Sequence, residues 1–346
     1  MSRHLPGSDL ANSCDQKGDR QLNTWMRMRG PGSARQSHTS FTFELLPRPP
    51  FRLGLTAWAL RRRAQNEVDR WDGTTYRRVI SVYRGTVEVG VCQQELHGSP
   101  RLEVNVRGER FGAAIKAEIA TLLTRMLGLQ IDLEPFYRMA ARDRRLNDLA
   151  EKYRGLKPVQ FPTLFEALAN AFACQQFTIA AGLQLLNRLA KLGSVVIETQ
   201  EEKLFGFPQP SDLARLSPRV FRRLGFSGQK TYAFRDLSRN ILNGAFDPNA
   251  LADETNEAAS ASLLELRGVG RWTAEYVLLR GLGRLDVFPG DDVGARNRLT
   301  KWLHRSRPMN YTSVHRALDR WQPYAGFIYF HMLMESLSAA GKIVAE

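Results

Sequence analysis

Two glycines between two helical patterns restrict the fold of this chain more than any other feature. One pattern ends at Leu266, a turn runs through Gly268, Val269 and Gly270, and a second pattern begins at about Arg271. Glycine accepts positive φ and lets a backbone come close to another molecule. The free N–H groups and the dipole at the start of the second helix favour an anion, such as a phosphate. The sequence therefore predicts a helical hairpin with an anion-binding turn, although such a turn alone could equally only join two packed helices.

The residues around this turn resemble the helix-hairpin-helix motif, loop and catalytic aspartate of the base-excision DNA glycosylase superfamily. Within it, the chain is most similar to the alkyl-base glycosylases, the DNA-3-methyladenine glycosylase II family. The family pattern is met by G-V-G-R-W-T-A at 268–274, Tyr276, L-R-G at 279–281, D-V-F at 286–288 and the pair Asp291-Asp292. The resemblance covers about residues 41 to 340 and is strongest from 262 to 300. It implies DNA contacts for Gly268, Val269, Gly270, Arg271 and Thr273.

Asp292 matches the family's catalytic aspartate. A fixed carboxylate in a partly dehydrated cleft stabilises the positive charge that develops on the sugar as an N-glycosidic bond breaks. The alternative is a helix N-cap, because a helical pattern follows through Ala295 and Leu299 and Asp is favoured at that position. Next to the hairpin, we favour the catalytic role for Asp292, and both roles are compatible for Asp291.

Trp272 and Tyr276 are four residues apart and therefore share one face of a helix. The resemblance favours a base pocket over ordinary core packing for them, since aromatic rings stack on an extruded base and attract a cationic one. Relatives that also cut the strand carry a lysine at the position of Trp272, where it forms a Schiff base. A tryptophan cannot do so. We therefore expect a monofunctional hydrolase.

Three further residues are placed by the same resemblance. Gln175 matches a pocket glutamine, and Gln176 stands where the family has a leucine wedge that fills the gap in the base stack. A polar face on a buried helix, within one helical pattern from Leu164 to Leu189, is the alternative for both glutamines. On the late helix, Leu333 replaces a pocket aromatic, which makes the expected pocket less aromatic.

Composition narrows the class of protein. The chain has 346 residues and a net charge of +14, as attraction to phosphate requires. Its three cysteines have no metal-ligand spacing, which excludes a disulfide scaffold and a four-cysteine cluster. Without a spanning apolar run or a signal peptide, we expect an intracellular protein: cytoplasmic and nucleoid-associated in a bacterium, nuclear in a eukaryote.

The fold class follows from a change of pattern along the chain. Residues 1–38 are polar and are expected to form a disordered basic arm. Strand patterns at 41–46, 76–83, 86–92 and 102–106, with helical patterns at 55–63 and 111–127, predict an antiparallel sheet domain over 39–130, similar to the TATA-binding-protein-like domain of alkyl-base glycosylases. From 131 to 346 helix boundary signals dominate. We predict an α+β protein whose second domain is an all-α glycosylase domain, with the hairpin at about 258–281.

The resemblance implies base-excision repair: alkylated bases such as 3-methyladenine and 7-methylguanine leave duplex DNA by hydrolysis, and an abasic site remains. We expect damaged double-stranded DNA as the partner, a monomer, no membrane contact, no required cofactor and no catalytic metal. A structural monovalent cation at the hairpin is implied by the family. Two alternatives stay open: a glycosylase for oxidised or deaminated bases, suggested by Leu333 and Gln176, and a noncatalytic DNA-damage-binding protein.

Overall fold

The computed structural model describes residues 39–83, 85–96, 99–109, 114–199 and 202–343. The predicted basic arm, residues 1–38, lies outside the described residues. The described chain begins with the sheet that the strand patterns predict and continues mainly with helices. The predicted α+β fold class is therefore confirmed.

Five antiparallel strands form the leading sheet in the order β1-β5-β4-β3-β2. They are β1 (Thr39–Leu45), β2 (Arg70–Trp71), β3 (Thr75–Val82), β4 (Gly85–Leu96) and β5 (Ser99–Gly108). Val89 pairs with Val106 and Val91 with Val104, and all four side chains are fully buried. Since alternate residues of a strand share a face, these valines define the face that packs on the core. Helices α1 (Leu53–Arg61) and α2 (Ile115–Met126) accompany the sheet.

The rest of the described chain is helical apart from one short hairpin, β6 (Val196–Glu198) with β7 (Lys203–Phe205). Its helices are α3 (Glu134–Ala140), α4 (Arg144–Lys152), α5 (Leu164–Cys174), α6 (Ile179–Ala190), α7 (Pro210–Arg215), α8 (Pro218–Leu224), α9 (Gly228–Leu242), α10 (Asn256–Leu264), α11 (Arg271–Arg280), α12 (Val293–Trp302), α13 (Tyr311–Leu318) and α14 (Ala325–Ala339). Short 3-10 turns lie at Ala250–Ala252 and Asp319–Trp321.

The single helical pattern expected from Leu164 to Leu189 is two helices. Helix α5 ends at Cys174, and Gln175 leaves the helical region with ψ 130°. Gln176 then takes a left-handed φ of 58°, and the hydroxyl of Thr178 caps α6 by accepting from the N–H of Ala181. Apolar periodicity continues across this break because α5 and α6 bury faces in the same core. The prediction of one helix was wrong for that reason.

Two large apolar clusters fill the molecule. The first joins the buried face of the sheet to α12, α13 and α14, and the second joins α5, α6, α9, α10 and α11. Tyr329 of α14 belongs to the first cluster and Tyr276 of α11 to the second. The boundary proposed at about residue 131 stays a prediction, because the core that contains the sheet also contains the last three helices.

Candidate active site

The predicted hairpin joins α10 to α11. Gly268 has φ 85°, and a Cβ there would lie 2.7 Å from the Cβ of Ala233, so the turn requires glycine. Val269 closes the turn with its N–H on the carbonyl of Leu266 at 3.1 Å. Gly270 is the N-cap of α11 and offers no side-chain acceptor, and nothing lies within 4 Å of the position of its missing Cβ. Gly270 and Arg271 are both exposed, so the start of α11 is accessible to an anion, which helix N-termini favour.

Gln175 braces this hairpin from the end of α5. Its amide nitrogen donates to the carbonyl of Gly268 at 2.8 Å and to the hydroxyl of Thr273 at 2.7 Å. Thr273 itself is buried, so its hydroxyl supports the turn from inside. The resemblance implied a pocket role for Gln175 and a DNA contact for Thr273. The observed contacts are with each other and the hairpin backbone, because the end of α5 turns Gln175 towards it.

Gln176 and Phe177 form the tip of the α5–α6 connection. Gln176 is exposed, and its left-handed backbone departs from the helical path of α5. Phe177 is 47% exposed, with the Lys230 ammonium 3.8 Å from its ring centroid. That ammonium also donates to the carbonyls of Ala173 and Gln175. The tip is therefore held to the end of α5 while both side chains remain at the surface.

Asp292 is the N-cap of α12 and faces the neighbouring helices with its second oxygen. Its Oδ1 accepts from the N–H of Ala295 at 2.8 Å. Its Oδ2 accepts from the hydroxyl of Tyr329 at 2.9 Å and lies 3.4 Å from Nε1 of Trp272. Among the described residues, no arginine, lysine or histidine forms an ion pair with Asp292. The N-cap role was set against catalysis for Asp292, and the geometry accommodates both.

The two aromatic residues of α11 stack as their spacing predicts. Their ring centroids are 5.3 Å apart with an interplanar angle of 26°. Trp272 is partly exposed, whereas Tyr276 is 5% exposed. The indole nitrogen of Trp272 thus lies next to Asp292, and the Tyr276 ring stacks on the indole from the buried side.

Tyr329 is a site residue that the sequence reasoning missed. It lies on α14 one turn before Leu333, and both are buried in the first apolar cluster. Burial, and then the negative charge of Asp292, raise the pKa of Tyr329 well above its usual value. The hydroxyl therefore stays protonated and donates to the carboxylate. The late helix therefore does place an aromatic side chain at the site, four residues before Leu333.

Arg62 is a second residue that was missed. It stands in the run Arg61-Arg62-Arg63, yet it is 4% exposed and takes a left-handed φ of 61° at the end of α1. Its guanidinium donates to the hydroxyl of Tyr276 at 3.2 Å and to Oδ1 of Asn170 at 2.5 Å. Arg280 is also buried, with its guanidinium 5.0 Å from the ring centroid of Phe161. Two buried cations, Arg62 and Arg280, thus lie near Tyr276. Both positions depend on contacts between segments that are far apart in the sequence, so the sequence alone could not predict them.

Asp291 and Arg271 form an ion pair beside the site. The guanidinium of Arg271 reaches Asp291 at 2.6 Å, and that of Arg296 lies 3.9 Å from the same carboxylate. Arg271 also covers the ring of Tyr311, 3.7 Å from its centroid. The predicted DNA contact of Arg271 therefore competes with a partner already present. Within the described part of the chain, Asp291 pairs with these two arginines and Asp292 forms no ion pair.

The described part of the chain contains neither a candidate metal cluster nor a membrane-spanning helix. No group of three or more histidine, cysteine, aspartate or glutamate residues there could hold a metal ion, and no helix is long and apolar enough to cross a membrane. His331 is buried with Nδ1 on the carbonyl of Phe327 at 2.9 Å, and burial lowers its pKa to about 4. It is a neutral core residue and takes no part in the site.

Three features therefore lie together at the start of α11: an accessible glycine turn, an aspartate with no ion-pair partner among the described residues, and a stacked aromatic pair. Residues 169–323 match the model described as HhH-GPD superfamily base excision DNA repair protein. This matched range contains the hairpin, the aromatic pair and Asp292, so the chain is similar to helix-hairpin-helix base-excision DNA repair proteins in the part that carries the site.

Relatives narrow the class to the alkyl-base type. The chain is 29% identical over 221 residues to a DNA-3-methyladenine glycosylase of Bacillus subtilis, covering 63% of this chain and 73% of that protein. It is 25% identical over 288 residues to DNA-3-methyladenine glycosylase 2 of Escherichia coli, covering 82% and 94%. A 3-methyladenine DNA-glycosylase structure from Archaeoglobus fulgidus superposes with a TM-score of 0.75 at 22% identity, covering 85% and 98%, a likeness of fold. The resemblance to alkyl-base glycosylases is confirmed.

Proposed function

We propose that this chain hydrolyses the N-glycosidic bond of alkylated bases in duplex DNA and leaves an abasic site. One observation carries the proposal. The Asp292 carboxylate is held by Tyr329 and by the N–H of Ala295, lies beside Trp272, and has no ion-pair partner among the described residues. Its negative charge is therefore free to meet a positive charge that develops next to the aromatic pair.

DNA is held by the hairpin. The N–H groups at the start of α11 and the dipole of that helix favour a phosphate, and Gly270 leaves the approach open. The net charge of +14 adds a long-range attraction that is independent of base sequence. These contacts position the duplex without reading its bases.

The damaged nucleotide flips out and its base stacks near Trp272 and Tyr276. Extrusion costs a few kcal/mol, least for a damaged base. The exposed part of Trp272 offers the π-face that an alkylated, positively charged purine prefers. Leu333 then contributes apolar wall only, since it is buried in the first apolar cluster.

Asp292 acts on the sugar. As the glycosidic bond lengthens, positive charge develops on the sugar, and a preorganised carboxylate stabilises that charge more in the transition state than in the ground state. Water then adds to the sugar, with Asp292 orienting it or accepting its proton. An alkylated base leaves as a neutral molecule from a cationic precursor, so no strong general acid is required.

The chain is proposed to be monofunctional and monomeric. A strand-cutting lyase needs an amine that forms a Schiff base with the sugar, and the family's position for that amine is Trp272. The site of action stays a prediction: the cytoplasm and nucleoid of a bacterium, or the nucleus of a eukaryote.

No cofactor is proposed, apart from a structural monovalent cation at the hairpin. The carbonyls of Leu266 and Gly268 each accept one hydrogen bond, and a carbonyl oxygen keeps a second lone pair for a cation. Neutral backbone oxygens therefore fit such an ion. It would keep the turn in shape, and no step of the reaction runs through it.

The products test the proposal. We expect free 3-methyladenine and 7-methylguanine from methylated duplex DNA, strands that break only after alkaline treatment, and no covalent adduct with borohydride. Release of oxidised or deaminated bases alone would favour the first alternative. Tight binding of damaged duplex without release of any base would favour a noncatalytic binder.

A further inference from the structure

Glu275 is a buried carboxylate on α11 that the proposed chemistry does not use. It is 8% exposed. Its Oε1 accepts from the hydroxyl of Tyr311 at 2.5 Å, and its Oε2 accepts from the N–H of Gly290 at 3.0 Å. Burial raises the pKa of Glu275, so the protein meets a cost in keeping a carboxylate here.

Gly290 is where this carboxylate meets the loop that leads into Asp292. A Cβ at position 290 would lie 2.8 Å from Nε2 of His315 and 2.8 Å from a ring carbon of Tyr311. The loop backbone is therefore pressed between Glu275 on one side and α13 on the other. Only two residues later, Asp292 caps α12.

The same group of residues touches the hairpin. Arg271, the first residue of α11, stacks on Tyr311 and pairs with Asp291. Glu275 lies one helical turn after Arg271 on the same helix. The loop is thus fixed at Gly290 and at Asp291 by two residues of the helix that begins at the DNA-binding turn.

We propose that Glu275 is a positioning residue for Asp292: its carboxylate fixes Gly290 and thereby sets the catalytic oxygen against the flipped nucleotide. The inference rests on the proposed glycosylase function. Glu275 is not a catalytic residue, because its oxygens accept from Tyr311 and Gly290 and lie 3.9 Å from Nε2 of His315, and none of these is a partner of the Asp292 carboxylate. It acts through the backbone, and a displacement of about 1 Å at a reacting group costs roughly 100-fold in rate.

The test compares Glu275→Leu with Glu275→Gln on methylated duplex DNA. Glutamine keeps an oxygen for Gly290, and its NH2 group can donate to the Tyr311 hydroxyl, which both donates and accepts. Leucine keeps neither bond. Glu257→Leu, at an exposed glutamate of α10, is the matched control. Single-turnover base release, duplex affinity and melting temperature are measured for each.

We expect Glu275→Leu to remain folded and to bind duplex like the wild type while its single-turnover rate falls roughly 100-fold, and Glu275→Gln to retain most of the rate. A folded Glu275→Leu variant with the wild-type rate would overturn the proposal, as would an equal loss in both variants. If leucine prevents folding, Gly290→Ala decides: its Cβ displaces the loop directly, so a wild-type rate there overturns the proposal and a lost rate with normal binding supports it. A wild type that releases no base would instead count against the proposed function.

Discussion

The two oxygens of the Asp292 carboxylate have different partners. Oδ1 caps α12, and Oδ2 receives the hydroxyl of Tyr329. An N-cap bond fixes the carboxylate at the start of a helix, where the dipole favours negative charge. The cap therefore holds the charge in place without neutralising it, and Asp291 takes the nearby arginines.

At the tip of the α5–α6 connection, Phe177 should contribute more to base extrusion than Gln176. An apolar ring fills an unstacked gap more favourably than an amide does, and stacking on a base is worth about 1–3 kcal/mol. We expect Phe177→Ala to slow single-turnover release from methylated duplex by roughly tenfold, and Gln176→Ala to slow it less. Release from methylated single strands, which need no extrusion from a duplex, provides the control. An equal loss on both substrates would contradict the wedge role, and a larger loss for Gln176→Ala would restore Gln176 to it.

The candidate site residues within the hairpin segment could be selected from the sequence, whereas their partners from distant segments could not. One segment of 25 residues contains Gly268, Trp272 and Asp292, so the sequence spacing alone predicts the turn, the shared helix face and the helix cap. Tyr329 and Arg62 reach the site from α14 and α1, and no periodicity links those helices to the hairpin. The role of Gln175 also depends on a contact across the fold, with Gly268.

At the scale of elements, the end of α1 contacts the aromatic stack through a hydrogen bond from Arg62 to the Tyr276 hydroxyl. The left-handed turn at Arg62 ends this helix and sends the guanidinium under Tyr276. Because arginine only donates, the Tyr276 oxygen accepts, and its proton remains available to another acceptor. The sequence predicted α1 at about the observed position, but a helix boundary alone does not tell which arginine of a run turns inwards.

A buried cation under the pocket should oppose the binding of cationic bases. We expect Arg62→Met to raise the ratio of 7-methylguanine release to hypoxanthine release by about tenfold, since even at a moderate effective dielectric a nearby charge is worth more than 1 kcal/mol. The ratio is measured in single-turnover reactions on matched duplexes. Arg77→Met, at an exposed arginine of β3, is the control and should leave the ratio unchanged. An unchanged ratio in a folded Arg62→Met variant would show that Arg62 only supports Tyr276.

At the scale of the whole molecule, the site lies where the two apolar clusters meet. Asp292 connects Tyr329 of the first cluster to Trp272, which packs on the second. Composition and strand alternation predicted a sheet followed by helices, and this order is confirmed. They could not predict that the last three helices share a core with the sheet, because that core joins segments more than 150 residues apart.

The most direct test compares Asp292→Asn with Asp291→Asn in single-turnover release of 3-methyladenine, with duplex affinity measured alongside. Asparagine is as good an N-cap as aspartate, so Asp292→Asn keeps the helix start and removes only the charge. We predict a loss of about 100-fold or more in rate at unchanged duplex affinity, and a far smaller loss for Asp291→Asn. A rate for Asp292→Asn close to that of the wild type would contradict the catalytic role of Asp292.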